Sequence, residues 1–271
     1  MSIVQIIPIH SNKIIEEEDD LVSLVLKSIE DQGHSLQDDD ILVIASKVVS
    51  VVEKRIRKCE DISPTKEAQV ICKRAHISPE FAQIILEETN NRYIGTVPGA
   101  ITTLNKYGLM ANAGADQSNV GDEKIILLPE DCKASAQKIH QKLLDQINTY
   151  IGIIVADSRT MPMRLGTVGG ALATYGFQSI IDERGKNDLF GRPMHITTRA
   201  VADQLATAAE LLMGETNEQI PFVIIRGYPI IRITSKEERD INSLITEENC
   251  MFIGPLLPCL EEKMKRDIED D

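Results

Sequence analysis

A mixed α/β (α+β) fold in one or two lobes is the expectation, and three observations carry it. Short apolar runs that suit buried strands, Ile41 to Ala45, Ile151 to Ala156 and Phe222 to Ile225, alternate irregularly with stretches of helical periodicity. The chain of 271 residues is long enough for a full core. It shows neither an internal repeat nor a low-complexity linker, so its strands and helices belong to packed layers and not to a solenoid.

Taken in order, Ile3 to Ile9 suits a first strand and Ser11-Asn12-Lys13 a turn. A helix follows: Asp19 or Asp20 caps it, Leu21, Leu24, Val25 and Ile29 recur at helical spacing, and Gly33 stands where a helix-ending glycine belongs. Asp38-Asp39-Asp40 reads as a solvated turn before the strand Ile41 to Ala45, which ends at Ser46-Lys47. Ser63-Pro64 and Ser78-Pro79 each match an N-cap followed by proline at the first helical position, so a helix is expected from each. Strands between Tyr93 and Asn105, turned at Gly95 to Gly99, deliver the chain to Gly108. Ile125 to Leu128 is a short strand. The helix over Asp131 to Tyr150 turns Ala136, Ile139, Leu143 and Ile147 to one face, with His140 at the surface or the core edge. Ile181 to Arg192 reads as hairpin turns dense in paired charges. Thr197 or Thr198 caps a helix with Val201, Leu205, Ala208 and Leu212 inward, ending at Gly214. Residues 1–230 are read as the main domain and 231–271 as a C-terminal extension with an acidic, frayed end.

Composition excludes several classes. No apolar run approaches the roughly 18 residues of a membrane span, and the N-terminus lacks the pattern of a signal peptide, so a cytoplasmic protein is expected. Five widely spaced cysteines without a C-x-x-C pair argue against a disulfide framework and a thiolate zinc site. A net charge of −13 disfavours nucleic acid and anionic membranes as partners, while a phosphorylated small molecule is compatible with it given bound cations and a few placed arginines.

The stretch Gly108 to Gly121, GLMANAGADQSNVG, is rich in small residues and oxygen-bearing side chains. Its glycines allow close approach to a ligand, and Asp116 offers the hard oxygen ligand that Mg²⁺ or Mn²⁺ prefers. Asp157-Ser158 reads as a second polar turn. Two carboxylates on separate turns suit a cation beside a phosphate, and equally both segments suit ordinary Asx turns between strands. Arg159 and Arg164 lie on a Gly-rich stretch that reads as flexible, and Arg184 and Arg192 on the next one; each suits a carboxylate or phosphate. Neither a P-loop nor a Rossmann fingerprint is present.

Several separated segments together resemble the coenzyme F(420)-0:L-glutamate ligase, or F(420) gamma-glutamyl ligase, family. They are IPIH with Glu18 to Leu21, Ser46-Lys47 with Ser50 and Glu53-Lys54-Arg55, GLMANAGADQSN, Asp157-Ser158, IDERGKNDLFGRP, AVADQLATAAELLMGE and IPFVIIRG. The resemblance spans most of residues 3 to 227. It implies a gamma-glutamyl ligase fold particular to the family, and a GTP-dependent enzyme that adds L-glutamate to F(420)-0 through an acyl phosphate. It further implies a homodimer, Mg²⁺ or Mn²⁺, and K⁺ as an additional ion. By position it makes Asp116, Asp157, Ser158 and Glu215 metal-site residues. Ser11, Asn12, Lys13, Ile14, Ser46, Lys47, Asn119 and Met213, Gly214, Glu215 and Thr216 become GTP contacts. Arg164, Arg184 and Arg192 become acceptor contacts, with Asp116, Asp157 and Arg164 in the catalytic set. The chain departs from the family where Ser-Lys-x-Glu-Gly-Arg is replaced by Ser50-Val51-Val52-Glu53-Lys54-Arg55, so that Lys47 or Lys54 has to stand in for a lysine. It also carries Ser158 for a usual Thr, and Glu215 for a usual Gln.

Two other readings stay open: a related amide ligase with a different carboxylate acceptor, and a noncatalytic protein that holds a deazaflavin or a nucleotide. A flavin or deazaflavin oxidoreductase finds no motif in the chain.

Overall fold

The computed structural model describes residues 3–233 and 244–259. In chain order the elements are β1 (Gln5–Ile9), α1 (Leu21–Asp31), β2 (Ile41–Ala45), α2 (Ser46–Val52), β3 (Ile56–Lys58), α3 (Lys66–Ala75), α4 (Pro79–Thr89), β4 (Tyr93–Val97), β5 (Ala100–Asn105), β6 (Gly108–Ala111), β7 (Lys124–Ile126), α5 (Cys132–Ile147), β8 (Gly152–Thr160), β9 (Thr167–Tyr175), β10 (Ile180–Asp182), β11 (Thr198–Ala200), α6 (Val201–Met213) and β12 (Phe222–Arg226). This is the expected α+β composition. Two compact units form, one from Met1–Arg57 with Gln117–Ile241 and the other from Lys58–Asp116 with Asn242–Asp271. Each is therefore discontinuous in sequence. Among the described residues no helix is long and apolar enough to cross a membrane. The expected acidic end, 260–271, lies outside the described residues.

The first unit is organised by a mixed five-stranded sheet in the order β1-β12-β2-β8-β9. Only β2 and β8 run parallel, with Ile41 opposite Gly152 and Ala45 opposite Ala156. The apolar runs read from the sequence form its inner strands because β-branched residues there are covered on both faces: Ile41, Val43, Ile154, Val223 and Ile225 face Val201, Leu205 and Ala209 of α6. The alternate residues Leu42, Ile44, Ile153 and Ile224 are equally buried on the opposite face, and α5 packs on β8 and β9. The β10–β11 pair extends into a hairpin arm over 183–197, held by Gly185 N–H to Met194 O and Asp188 N–H to Arg192 O, each 2.8 Å. In the second unit α3 packs on α4, and both cover the antiparallel sheet β4-β5-β6.

Several local expectations are corrected. The chain does not start a helix at Ser63; α3 begins after Thr65, whose hydroxyl accepts from Ala68 N–H at 3.3 Å. Thr198 belongs to β11, and α6 follows Ala200 without a side-chain cap, so neither Thr197 nor Thr198 caps it. Ser78 caps as read, and the helix expected over Asp131 to Tyr150 runs from Cys132 to Ile147 with Asp131 as its cap. The acidic triplet is a solvated turn only in part: Asp38 and Asp39 form a solvent-facing turn, in which Asp38 accepts from Tyr150 N–H at 2.8 Å and Asp39 pairs with Arg232 at 2.6 Å, whereas nearly inaccessible Asp40 takes the Arg226 guanidinium at 2.7 and 2.9 Å. His140 is buried, donating from Nδ1 to Ile151 O at 2.7 Å beside the rings of Tyr150 and Tyr175, which makes it structural.

Candidate functional site

The carboxyl end of a parallel strand pair is where open α/β sheets present ligand groups. In this protein Ser46 and Asp157 are the residues immediately after the paired Ala45 and Ala156. Ser46 is buried, opens α2, and donates from Oγ to Asp157 Oδ1 at 2.7 Å. Asp157 and Ser158 are not a turn. They lie inside β8, opposite Gly170 and Gly169 of β9, and Gly166 supplies the turn between the strands. The Gly-rich stretch is accordingly no flexible loop: a Cβ at Gly170 would stand 2.6 Å from Arg159 Cδ, so the Arg159 stem lies across this glycine.

Gly169 lets α6 come close. A Cβ at this position would collide with the Ala206 carbonyl and stand 3.0 Å from Glu210 Cβ. Thr207 Oγ1 donates to Gly169 O at 2.7 Å and fixes the helix on the strand. The approach delivers Glu210, a residue the sequence reading passed over, to the carboxylates of Asp157 and Glu215. Burial, then the hydrogen bond with Glu215, then the negative charges of Glu215 and Asp157 push the Glu210 carboxyl up to about 8. Gly214 ends α6 at φ 69°, and Glu215 follows with Thr167 Oγ1 donating to its Oε1. The signal in the sequence was one of two acidic residues, with Asp203, among the Ala and Leu of α6, indistinguishable by itself from a solvated position.

Asp157, Glu210 and Glu215 thus concentrate negative potential that a proton partly relieves, and hard oxygen donors of this kind fit a divalent cation. Among the described residues no three His, Cys, Asp or Glu side chains close round a metal by themselves. The donor set fits an ion that keeps water and substrate oxygens in its shell, as Mg²⁺ does. Asp116 is the last residue of the second unit's first stretch, one residue before the chain re-enters the first unit at Gln117.

The raised Glu210 carboxyl predicts a pH effect. Its folded value lies above the unfolded one, so the folded state holds the extra proton between the two; the associated stability is fully present below about 4.5 and is lost as pH rises to about 8. A shift of this size would be worth roughly 5 kcal/mol if fully buried, and partial exposure reduces the expectation to about 1–2 kcal/mol. Glu210→Gln should therefore gain about 1–2 kcal/mol over the parent at pH 9 and little at pH 4 in denaturant titrations without metal. Parallel stability–pH curves for the two proteins would refute the assignment.

Segments expected around the nucleotide also meet within the first unit. Ser11 N–H donates to Gln219 O at 2.9 Å, bringing the Ser11 to Ile14 turn to the segment that follows Gly214. Asn119 Nδ2 donates to Thr216 O at 2.8 Å, and Lys47 Nζ reaches Ser118 O at 3.1 Å and Oγ at 2.9 Å. Lys13 is paired with Asp19, while Asn12 and Ile14 are exposed. Of the two lysines that could replace the family's lysine at Val51, Lys47 reaches this cluster and Lys54 does not. Lys54 pairs with Glu18 at 2.9 Å and sits at φ 59°, a conformation suited to the glycine usual there.

The arginines are placed differently from one another. Arg184 is held bidentately by Asp182 at 2.7 to 3.1 Å, and its guanidinium holds the Asp182 carboxyl down at about 2. Arg164 stands exposed on the β8–β9 turn; Arg192 stands exposed on the arm with its guanidinium 6.0 Å from the Phe190 ring centre. Within the Gly108 to Gly121 stretch, Gly108–Ala111 is strand β6 and Asn112 Oδ1 accepts from Ile101 N–H at 2.9 Å, so this half serves the second unit's own fold. A cavity of about 540 Å³ in the second unit is lined by Thr65, Lys66, Gln83, Glu87 and Asn90 among others, and none of the residues singled out from the sequence lines it.

Fold and site together define an α+β protein that gathers acidic side chains at the carboxyl end of a parallel strand pair, beside loops rich in backbone and side-chain donors. A profile described as F420-0:Gamma-glutamyl ligase matches residues 11–227. The chain belongs to this family. Among its relatives, the coenzyme F420:L-glutamate ligase of Methanothermobacter thermautotrophicus is 37% identical over 227 residues, 83% of this chain and 90% of the relative. The proteins of that name from Archaeoglobus fulgidus and Methanosarcina mazei are 34% identical over 87% of this chain and 92% of theirs, and 35% identical over 92% and 95%.

Proposed function

We propose that this protein is a GTP-dependent ligase that adds L-glutamate to coenzyme F(420)-0 through gamma-glutamyl linkages. Family membership supports the class, and the gathering of Asp157, Glu210 and Glu215 next to Ser46 is the observation that carries the chemistry. In this reading the acceptor carboxylate oxygen attacks the γ-phosphorus of GTP, GDP leaves, and an acyl phosphate forms. The glutamate nitrogen then attacks the acyl carbon, loses a proton, and phosphate departs. Asp157 and Glu215, with Asp116 and Ser158, would hold Mg²⁺ or Mn²⁺, which when bound neutralises charge on the crowded phosphates; K⁺ is a further ion of the proposal. Lys47, Asn119 and the Ser11 to Ile14 turn orient the nucleotide, and Ser46 keeps Asp157 in one rotamer. Positioning and charge neutralisation make up most of phosphoryl-transfer catalysis, which is what these residues can provide. A homodimer is part of the proposal; the fully exposed Met163, Leu165 and Leu189 are apolar surface that such an assembly would cover.

Incorporation of labelled glutamate into F(420)-0 with GTP and Mn²⁺ tests the reading directly. Incorporation by the parent protein is expected, and nucleotide binding without turnover on any carboxylate acceptor would favour the noncatalytic binder. Arg164→Ala and Arg192→Ala are expected to raise the acceptor KM about tenfold to hundredfold, because each loses a charge-assisted contact worth roughly 1.5–3 kcal/mol. Arg184→Ala should change it less, since Asp182 already occupies that guanidinium. Unchanged KM in both of the first two variants removes the arginines from the acceptor site.

A further inference from the structure

We infer that Thr167 is a positioning residue that holds Glu215 for a divalent cation, an inference that rests on the metal reading above. Glu215 comes directly after Gly214, where α6 has ended, so its backbone belongs to an exposed segment with no helix or sheet of its own. On α6 it meets another carboxyl, Glu210, which hydrogen-bonds it while protonated but once ionised repels it and would favour Glu215 turning to solvent. Thr167 opposes that. It is the first residue of β9, paired in register with Thr160, and its Oγ1 donates to Glu215 Oε1 across 48 positions of sequence. The bond ties a loop carboxylate to the sheet that carries Asp157. A carboxylate has about four acceptor positions, of which Thr167 uses one and the Glu210 carboxyl another, which leaves two for a cation and its water. Loss of such an outer partner typically lowers metal affinity by about 10–100-fold. The hydroxyl is exposed, so removing it should leave the fold intact.

The test is Mn²⁺ binding by the metal-free protein, followed through the resonance signal of free Mn²⁺ without nucleotide or turnover. The parent is compared with Thr167→Val, Thr167→Ser, Glu215→Ala and the Thr167→Val/Glu215→Ala double variant. The expected result is an approximately tenfold higher Kd for Thr167→Val, near-parental affinity for Thr167→Ser, and no additional loss when Thr167→Val is added to Glu215→Ala. No variant should melt below the parent, and those with Glu215→Ala should melt at or slightly above it because Glu210 loses a negative neighbour. If Glu215→Ala weakens binding while Thr167→Val does not, the positioning role is overturned and the metal reading stands. If Glu215→Ala binds Mn²⁺ like the parent, the metal reading of Glu215 fails, and the role of Thr167 with it.

Discussion

Asp157→Asn is expected to lower metal-dependent glutamate incorporation at least a hundredfold while leaving the melting temperature unchanged or slightly raised. The two halves of this result have separate causes. Asparagine has nearly the shape of aspartate and its carbonyl can accept the Ser46 hydroxyl, so the 2.7 Å contact at the end of β2 has a substitute. The backbone at this position remains in the β8–β9 ladder opposite Gly170. Removing one charge also relieves Glu210, which owes part of its raised carboxyl to Asp157. What is lost is a hard anionic oxygen, and loss of a single group aimed at developing charge typically costs about 10²–10³ in rate. Measuring turnover and thermal unfolding on the same preparation checks both. A variant that is stable and fully active would place Asp157 away from the chemistry.

The sequence disclosed the frame of this site better than its contents. Ile41–Ala45 and Phe222 to Ile225 were legible as strands because burial on both faces demands continuous β-branched runs, and Ser78 was legible as a cap because its side chain meets the helix N–H groups locally. Asp157-Ser158 looked like a turn because turn propensity is a local property, whereas the pairing of β8 with the glycines of β9 is not. Asp40 was misread for the same reason: its partner Arg226 lies 186 residues away. Glu210 could not be seen at all, since a glutamate on a helix declares its role only when a strand without a side chain at Gly169 lets that face come close. The meeting of Ser11 with Gln219 and of Asn119 with Thr216 was reachable only through the family's pattern, because nothing in the spacing of those residues encodes their contact.

Gly169→Ala should be the most damaging single-methyl change near the site. Gly169 does not have a positive φ, so alanine meets no backbone penalty there and the whole cost is steric. The new Cβ would overlap the carbonyl oxygen and carbon of Ala206, which belong to helix backbone and cannot rotate away as a side-chain end would. Either α6 lifts from β9, losing the Thr207 hydroxyl bond to Gly169 O and part of the packing of Ala202, Ala206 and Ala209, or the strand bends. Overpacking of this kind costs about 1–3 kcal/mol, and an unyielding backbone partner places the expectation near 3. At roughly 2–4 °C per kcal/mol for a domain of this size, the melting temperature should fall by about 6–12 °C. Activity should fall as well, since lifting α6 moves Glu210 and Glu215 away from Asp157. Gly185→Ala is the matched control. Gly185 has φ 81° with nothing within 4 Å of an added Cβ, so its cost is conformational, about 1 kcal/mol, and should not reach the carboxylates. Equal losses of stability in the two variants would mean that close helix–strand approach is not what Gly169 provides.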